Sequence, residues 1–142
     1  MSETLFPLKP NDHECEKASN GYLMSLVAIM IGLPIPIINV IATGIYYLSN
    51  RRESYFVRWH SLQVFLSQLL LMVMNSCGYY WTLSILFGSN ELTNRYIAYI
   101  ITILTFNLLE IVVTIYSAIN VRKGKHVDWW LFGPLTTVFC AK

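Results

Sequence analysis

Residues 21–50 read GYLMSLVAIMIGLPIPIINVIATGIYYLSN, without one Asp, Glu, Lys or Arg. A transmembrane helix needs about 20 consecutive, mostly apolar residues, so this stretch is long enough to cross a bilayer. The same charge gap recurs from Trp59 to Asn90, and between Tyr96 and Val121 the single charged residue is Glu110. Of 142 residues, 55% are apolar and 13% charged, whereas an ordinary soluble domain carries roughly 25% charged residues. The pattern predicts an all-α integral membrane protein, a bundle of three transmembrane helices over residues 22–48, 54–77 and 96–120, with a short C-terminal interfacial or re-entrant segment.

Inside the first run, Pro34 and Pro36 lack the backbone N–H that a helix uses, so a Pro-kinked first helix is expected. Residues 1–20 read as a polar leader and 21–142 as a single transmembrane domain. The leader carries Glu3, Asp12, Glu14 and Glu16, and the run behind it is too long for a signal-peptide core. The second run is too long for one perpendicular span. Gly78 is the expected break, with an interfacial piece over 79–88 in which Tyr79, Tyr80 and Trp81 suit the headgroup level. Residues 129–141 form a second interfacial piece, split at Gly133-Pro134.

Three spans place Arg51, Arg52, Arg58, Arg122, Lys123, Lys125 and Lys142 on one side, and Lys9, Lys17 and Arg95 on the other. By the positive-inside rule the first side is cytoplasmic, with the C-terminus there and the N-terminus outside. Arg51, Arg52, Arg122, Lys123 and Lys125 are the expected contacts to anionic lipid. The run RKGKH reads as this topology signal rather than as a nucleic-acid patch. Cys15, Cys77 and Cys140 show neither metal-ligand nor disulfide spacing, and His13 with Cys15 is too small a set for a metal site. No cofactor or metal motif is present, and His60 next to Ser61 is not a catalytic pair, because adjacent helical positions point about 100° apart.

The polar residues within the apolar runs carry more information. At about 100° per residue, His60, Gln63, Ser67, Gln68 and Asn75 share one face of helix two, and Asn107, Glu110, Thr114 and Ser117 one face of helix three. Asn39 and Thr43 lie one turn apart on helix one. Such faces are costly in lipid and should turn toward each other. If helices two and three are antiparallel, Glu110 lies level with Gln63, Ser67 and Gln68, with His60 one turn nearer the surface. A clasp that holds the bundle together is the plainer reading of this intramembrane polar cluster (Glu110, Asn107, Gln63, Ser67, Gln68, His60); an ion- or proton-handling site is the sharper one. Ahead of the cluster, Phe56, Arg58, Trp59 and His60 form an aromatic, basic start to helix two. It reads as a membrane anchor and a partner surface.

The segments ESYFVRWHSLQVFLSQ (53–68) and SAINVRKGKHVDWWLFGPL (117–135) resemble a superfamily of small helical membrane proteins. It contains the chloroplast inner-envelope translocon subunit Tic-twenty and bacterial relatives of unassigned function. The matching residues are Phe56, Val57, Arg58, Trp59, His60 and Gln63, then Lys123, Gly124, Gly133 and Pro134. The resemblance implies a role in protein translocation or membrane assembly. The chain departs from the plastid subunit in having three spans where four are usual, and an acidic start where a transit peptide is Arg- and Ser-rich. A bacterial inner-membrane relative is therefore expected ahead of a plastid envelope protein.

Two functions follow as expectations. The first is a small non-enzymatic accessory subunit of a larger membrane complex. The second is a homo-oligomeric carrier or channel in which Glu110 and His60 line a polar path. An enzymatic reading lacks a nucleophile–base pair or metal set.

Overall fold

The computed structural model describes residues 9–32 and 35–140. Five helices follow in order: α1 Asp12–Gly32, α2 Ile37–Asn50, α3 Tyr55–Phe87, α4 Asn94–Arg122 and α5 Phe132–Cys140. There is no strand among the described residues. α3 and α4 are the two helices long and apolar enough to cross a membrane.

Part of the expected polar leader is helical. Asn11 Oδ1 accepts from the Glu14 backbone N–H at 2.8 Å, and Glu14 Oε2 accepts from the Asn11 N–H at 2.9 Å. This reciprocal pair is a capping box with asparagine in the cap position, and it satisfies two N–H groups that a helix start leaves open. α1 therefore begins at Asp12, nine residues ahead of the uncharged run.

The run from 21 to 50 does not form a single span over 22–48. In one continuous helix residues 17 and 53 would be about 54 Å apart. Instead Lys17 Nζ lies 2.8 Å from Glu53 Oε1, and the Tyr46 hydroxyl donates to the Lys17 carbonyl at 2.6 Å. Gly21 faces the Tyr46 ring so closely that a Cβ would lie 3.1 Å from Cε1. α1 and α2 are thus the arms of a hairpin that returns to the end where it began. Pro36 occupies the N-cap position of α2, where a missing N–H costs nothing. Pro34, the other expected kink residue, lies outside the described residues.

The hairpin changes the expected placement of the ends. Arg122 Nη2 lies 3.8 Å from Glu16 Oε1, and Ser19 Oγ donates to the Ala118 carbonyl at 3.0 Å, so the start of α1 sits beside the end of α4. The start of α1, the end of α2, the start of α3 and the end of α4 share one end of the bundle. The N-terminal helix is not opposite the C-terminal region, as three full spans would require.

α3 runs unbroken through Gly78, so residues 79–87 are its last turns and not a separate interfacial piece. Gly78 serves a different purpose: a Cβ there would press on Ile103 Cδ1 of α4. The missing side chain lets the two long helices approach. Ser54 holds the N-cap position of α3, but its hydroxyl makes no capping bond. α4 ends in a Schellman turn. Lys125 N–H donates to Asn120 O and Gly124 N–H to Val121 O, both at 3.0 Å, with Gly124 at φ 77°. That left-handed conformation suits glycine alone among common residues, and the turn carries residues 126–131 back across α3. α5 is one short helix beginning at Phe132, so Gly133 and Pro134 lie in its first turn instead of splitting it.

Candidate functional site

The densest buried polar group lies where α1, α3 and the 123–131 segment meet. Gln63 is its hub. Its Nε2 donates to the Tyr22 hydroxyl at 2.9 Å and to the Val127 carbonyl at 3.2 Å, and its Oε1 accepts from the Trp129 backbone N–H at 3.1 Å. Both amide protons and the carbonyl are used, which fixes the orientation of a fully buried side chain. Tyr22 also pairs with His60 Nδ1 at 2.8 Å, and His60 Nε2 lies 3.2 Å from His126 Nδ1. The Tyr22 oxygen accepts from Gln63, and the His60 tautomer sets which of Tyr22 Oη and His60 Nδ1 donates to the other.

Aromatic rings close this group. Phe56, Trp59 and His126 stand edge-on to His60 with centroids 4.6, 5.0 and 5.0 Å away. The Trp129 indole N–H donates to Ser117 Oγ at 2.6 Å, tying the 123–131 segment to α4. Trp59 Nε1 donates to Thr137 Oγ1 at 3.2 Å, and Arg58 Nη2 to the Cys140 carbonyl at 3.2 Å. α5 is thereby fastened to the start of α3. Burial pushes the His126 imidazole down to about 4, so it stays neutral across the physiological range.

A second group lies deeper. Gln68 Nε2 donates to Ser25 Oγ at 3.0 Å and to Glu110 Oε1 at 3.2 Å. Ser67 and Glu110 are the polar residues of an otherwise apolar cavity of about 270 Å³, lined also by Leu71, Val113, Trp129 and Phe132. A third group, Asn75 with Asn107, exchanges two side-chain hydrogen bonds at 2.8 and 3.2 Å, and Asn107 also donates to the Ile103 carbonyl.

The structure thus distributes the expected cluster over three levels: His60 and Gln63, then Ser67, Gln68 and Glu110, then Asn107. Of the expected partner surface, Phe56, Trp59 and His60 are buried by this chain's own elements, and Arg58 is half-buried under α5. Arg51, Arg52, Arg122, Lys123 and Lys125 are exposed at the end where the hairpin opens. Cys15 is buried while His13 is exposed, and among the described residues no three His, Cys, Asp or Glu gather as metal ligands.

Tyr22, Ser25, His126 and Trp129 were not legible as members of these groups. The first two sit in a run read as a single kinked span, His126 ends the basic stretch read as a topology signal, and Trp129 opens the expected interfacial piece. The one available signal was Gly124: a glycine just after a helical run announces a reversal, and a reversal brings HVDWW back onto the preceding helices.

Comparison with known families assigns the chain. The sequence profile of the MamF/MmsF family, the magnetosome magnetite crystal formation protein family, matches residues 18–136, and the chain belongs to that family. No curated protein and no solved structure matches it. The match overturns the resemblance to the Tic-twenty superfamily: the segments 53–68 and 117–135 that carried it lie inside the matched region. The translocation role implied by that resemblance goes with it.

Proposed function

We propose that this member of the magnetosome magnetite crystal formation family is a small, non-enzymatic membrane protein that works within a larger assembly of the magnetosome membrane. The family match supports the setting, and two apolar helices of 33 and 29 residues support residence in a bacterial membrane. The observation that carries the reading is the saturated hydrogen bonding of Gln63. It ties α1, α3 and the segment after α4 together, which is what a structural clasp needs. A polar path for ions would instead keep groups free to exchange partners. His60 and Glu110 also belong to different hydrogen-bonded groups, the first with Tyr22 and His126, the second with Gln68.

In this reading α3 and α4 span the bilayer and the α1–α2 hairpin enters and leaves on one face. Lys17, Arg51, Arg52, Arg122, Lys123 and Lys125 then lie on the same side, with Arg95 at the other end. The positive-inside rule makes the crowded side cytoplasmic, with both ends of the described chain facing the cytoplasm. The outward surface offers apolar helix faces to lipid or to neighbouring membrane proteins, and exposed cations to anionic headgroups.

The test is purification of the tagged chain from magnetosome membranes in mild detergent, with mass determination of whatever accompanies it. A stoichiometric complex with other membrane proteins is the expected result. A lone homo-oligomer that passes ions in liposomes, and stops doing so in Glu110→Gln, would replace this reading with the carrier.

A further inference from the structure

The hairpin gives the molecule two ends of different width. At the basic end α1, α2, α3 and α4 lie side by side, and α5 packs on α3. Ser25 is level with Gln68, and α1 ends seven residues later, so the hairpin closes near the level of Asn75. Beyond the end of α1, among the described residues, α3 and α4 alone continue.

The depths follow from helix geometry. From Lys17 to Gly32, α1 descends about 22 Å, whereas α3 continues about 18 Å beyond the level of Asn75 to its end at Phe87. With Lys17 at the near boundary of a hydrocarbon core about 30 Å thick, the hairpin fills the leaflet at the basic end, passes the midplane by about 7 Å and stops short of the far interface. Two extra helices, each about 10 Å across, add roughly 160 Å² of cross-section through the whole of that leaflet and through only the inner part of the other. The last turn of α1 is apolar and outward-facing: Met30 and Ile31 are 75% and 64% exposed. Exposed cations ring the wide end, Arg51 and Arg52 after α2, Lys123 and Lys125 after α4.

We infer that the chain is a membrane wedge whose partner is a strongly curved, anionic bilayer with the convex face at the basic end. A convex leaflet has its headgroups spread apart, and a protein broader on that side fills the gap. A flat bilayer must instead be strained to accommodate it. The cations fix which face is presented, since they stay with the anionic headgroups. The inference rests on the two-span reading above and adds a consequence that the spans alone do not have.

The test uses the full chain with Cys77→Ser, so that its exposed thiol is removed, and a fluorophore on Glu91→Cys at the narrow end. The protein is reconstituted into giant vesicles of phosphatidylethanolamine and phosphatidylglycerol, and membrane tubes are drawn from them. An impermeant quencher reports which face the label occupies, and a second preparation labelled at Arg52→Cys reports the wide end. With the wide end outward, enrichment in the tube of about twofold or more is expected, a preference on the order of 0.4 kcal/mol. With the wide end inward, depletion is expected. Labels 52 and 91 on the same face would overturn the two-span reading and the wedge with it. Labels on opposite faces with equal density in tube and vesicle, or with the reverse sign of sorting, would overturn the wedge alone.

Discussion

The two ends of the bundle are built on different principles. At the wide end Tyr22, His60, Gln63 and Gln68 are fully buried and hydrogen-bonded across elements far apart in sequence. At the narrow end the crossing contacts are fewer: Asn75 with Asn107, the Tyr99 hydroxyl on the Met74 carbonyl, and Thr82 with Tyr96. There Tyr80, Leu86, Ile101 and Leu104 face outward. An apolar environment gives no hydrophobic drive between lipid-facing helices, so association depends on packing and hydrogen bonds. The wide end has many such bonds and fixes the fold; the narrow end has few and follows it.

The largest effect expected on this contrast comes from Gln63→Leu. It removes three hydrogen bonds and leaves the Val127 carbonyl and the Trp129 N–H to find partners, while the Tyr22 hydroxyl keeps His60. At about 1–3 kcal/mol for each buried unsatisfied group, a loss of about 2 kcal/mol or more on that scale is expected in detergent unfolding. A change below about 1 kcal/mol would show that the hub is not what holds the wide end.

Gly133→Ala should come next. A Cβ at 133 would fall on the Asp128 carboxylate, and overpacking of this kind costs about 1–3 kcal/mol. Asp128→Ala in the same chain should restore most of the stability. No recovery would mean that the clash lies with the backbone.

Acid should loosen the wide end by a smaller amount. His126 titrates near 6.5 when unfolded and at about 4 in the fold. Above pH 6.5 both states are neutral and the contribution is fully present. As pH falls toward 4 the unfolded chain binds a proton that the fold refuses, so stability declines; below 4 the decline from this group ends. His126 is partly exposed, so solvent screening limits the loss to about 2 kcal/mol at most. The measurement is the stability difference between wild type and His126→Gln from pH 7 to 4, and a difference that does not change with pH would remove His126 from the account.

At the narrow end Asn75→Val should cost only about 1 kcal/mol, the scale of interhelical hydrogen bonds in membranes. A cost equal to that of Gln63→Leu would erase the contrast between the ends.

The sequence shows some of this directly and conceals the rest for physical reasons. Long uncharged runs identify α3 and α4, because only apolar helices survive in lipid. Helical spacing collects the polar residues of α3 on one face, and His60, Gln63, Gln68 and Asn75 of that face reach other helices. The hairpin is hidden. Thirty uncharged residues with two prolines near the middle suit one kinked span or two shorter arms equally well. What separates these is long-range pairing, Lys17 with Glu53 and Tyr46 with the Lys17 carbonyl. Gly78 is ambiguous in the same way. A glycine in an apolar run signals a break or a close approach, and the side chain that decides, Ile103, belongs to the next helix.

The return of the first apolar run to its starting end underlies the proposed two-span topology, the grouping of the cations and the difference between the ends. The distance between spin labels at Lys17→Cys and Glu53→Cys, in a chain with Cys15, Cys77 and Cys140 replaced, tests it most directly. The hairpin predicts a separation of about 20 Å or less once the label arms are included, since the native side chains touch at 2.8 Å. A separation near 50 Å, the length of one continuous helix between those positions, would contradict it.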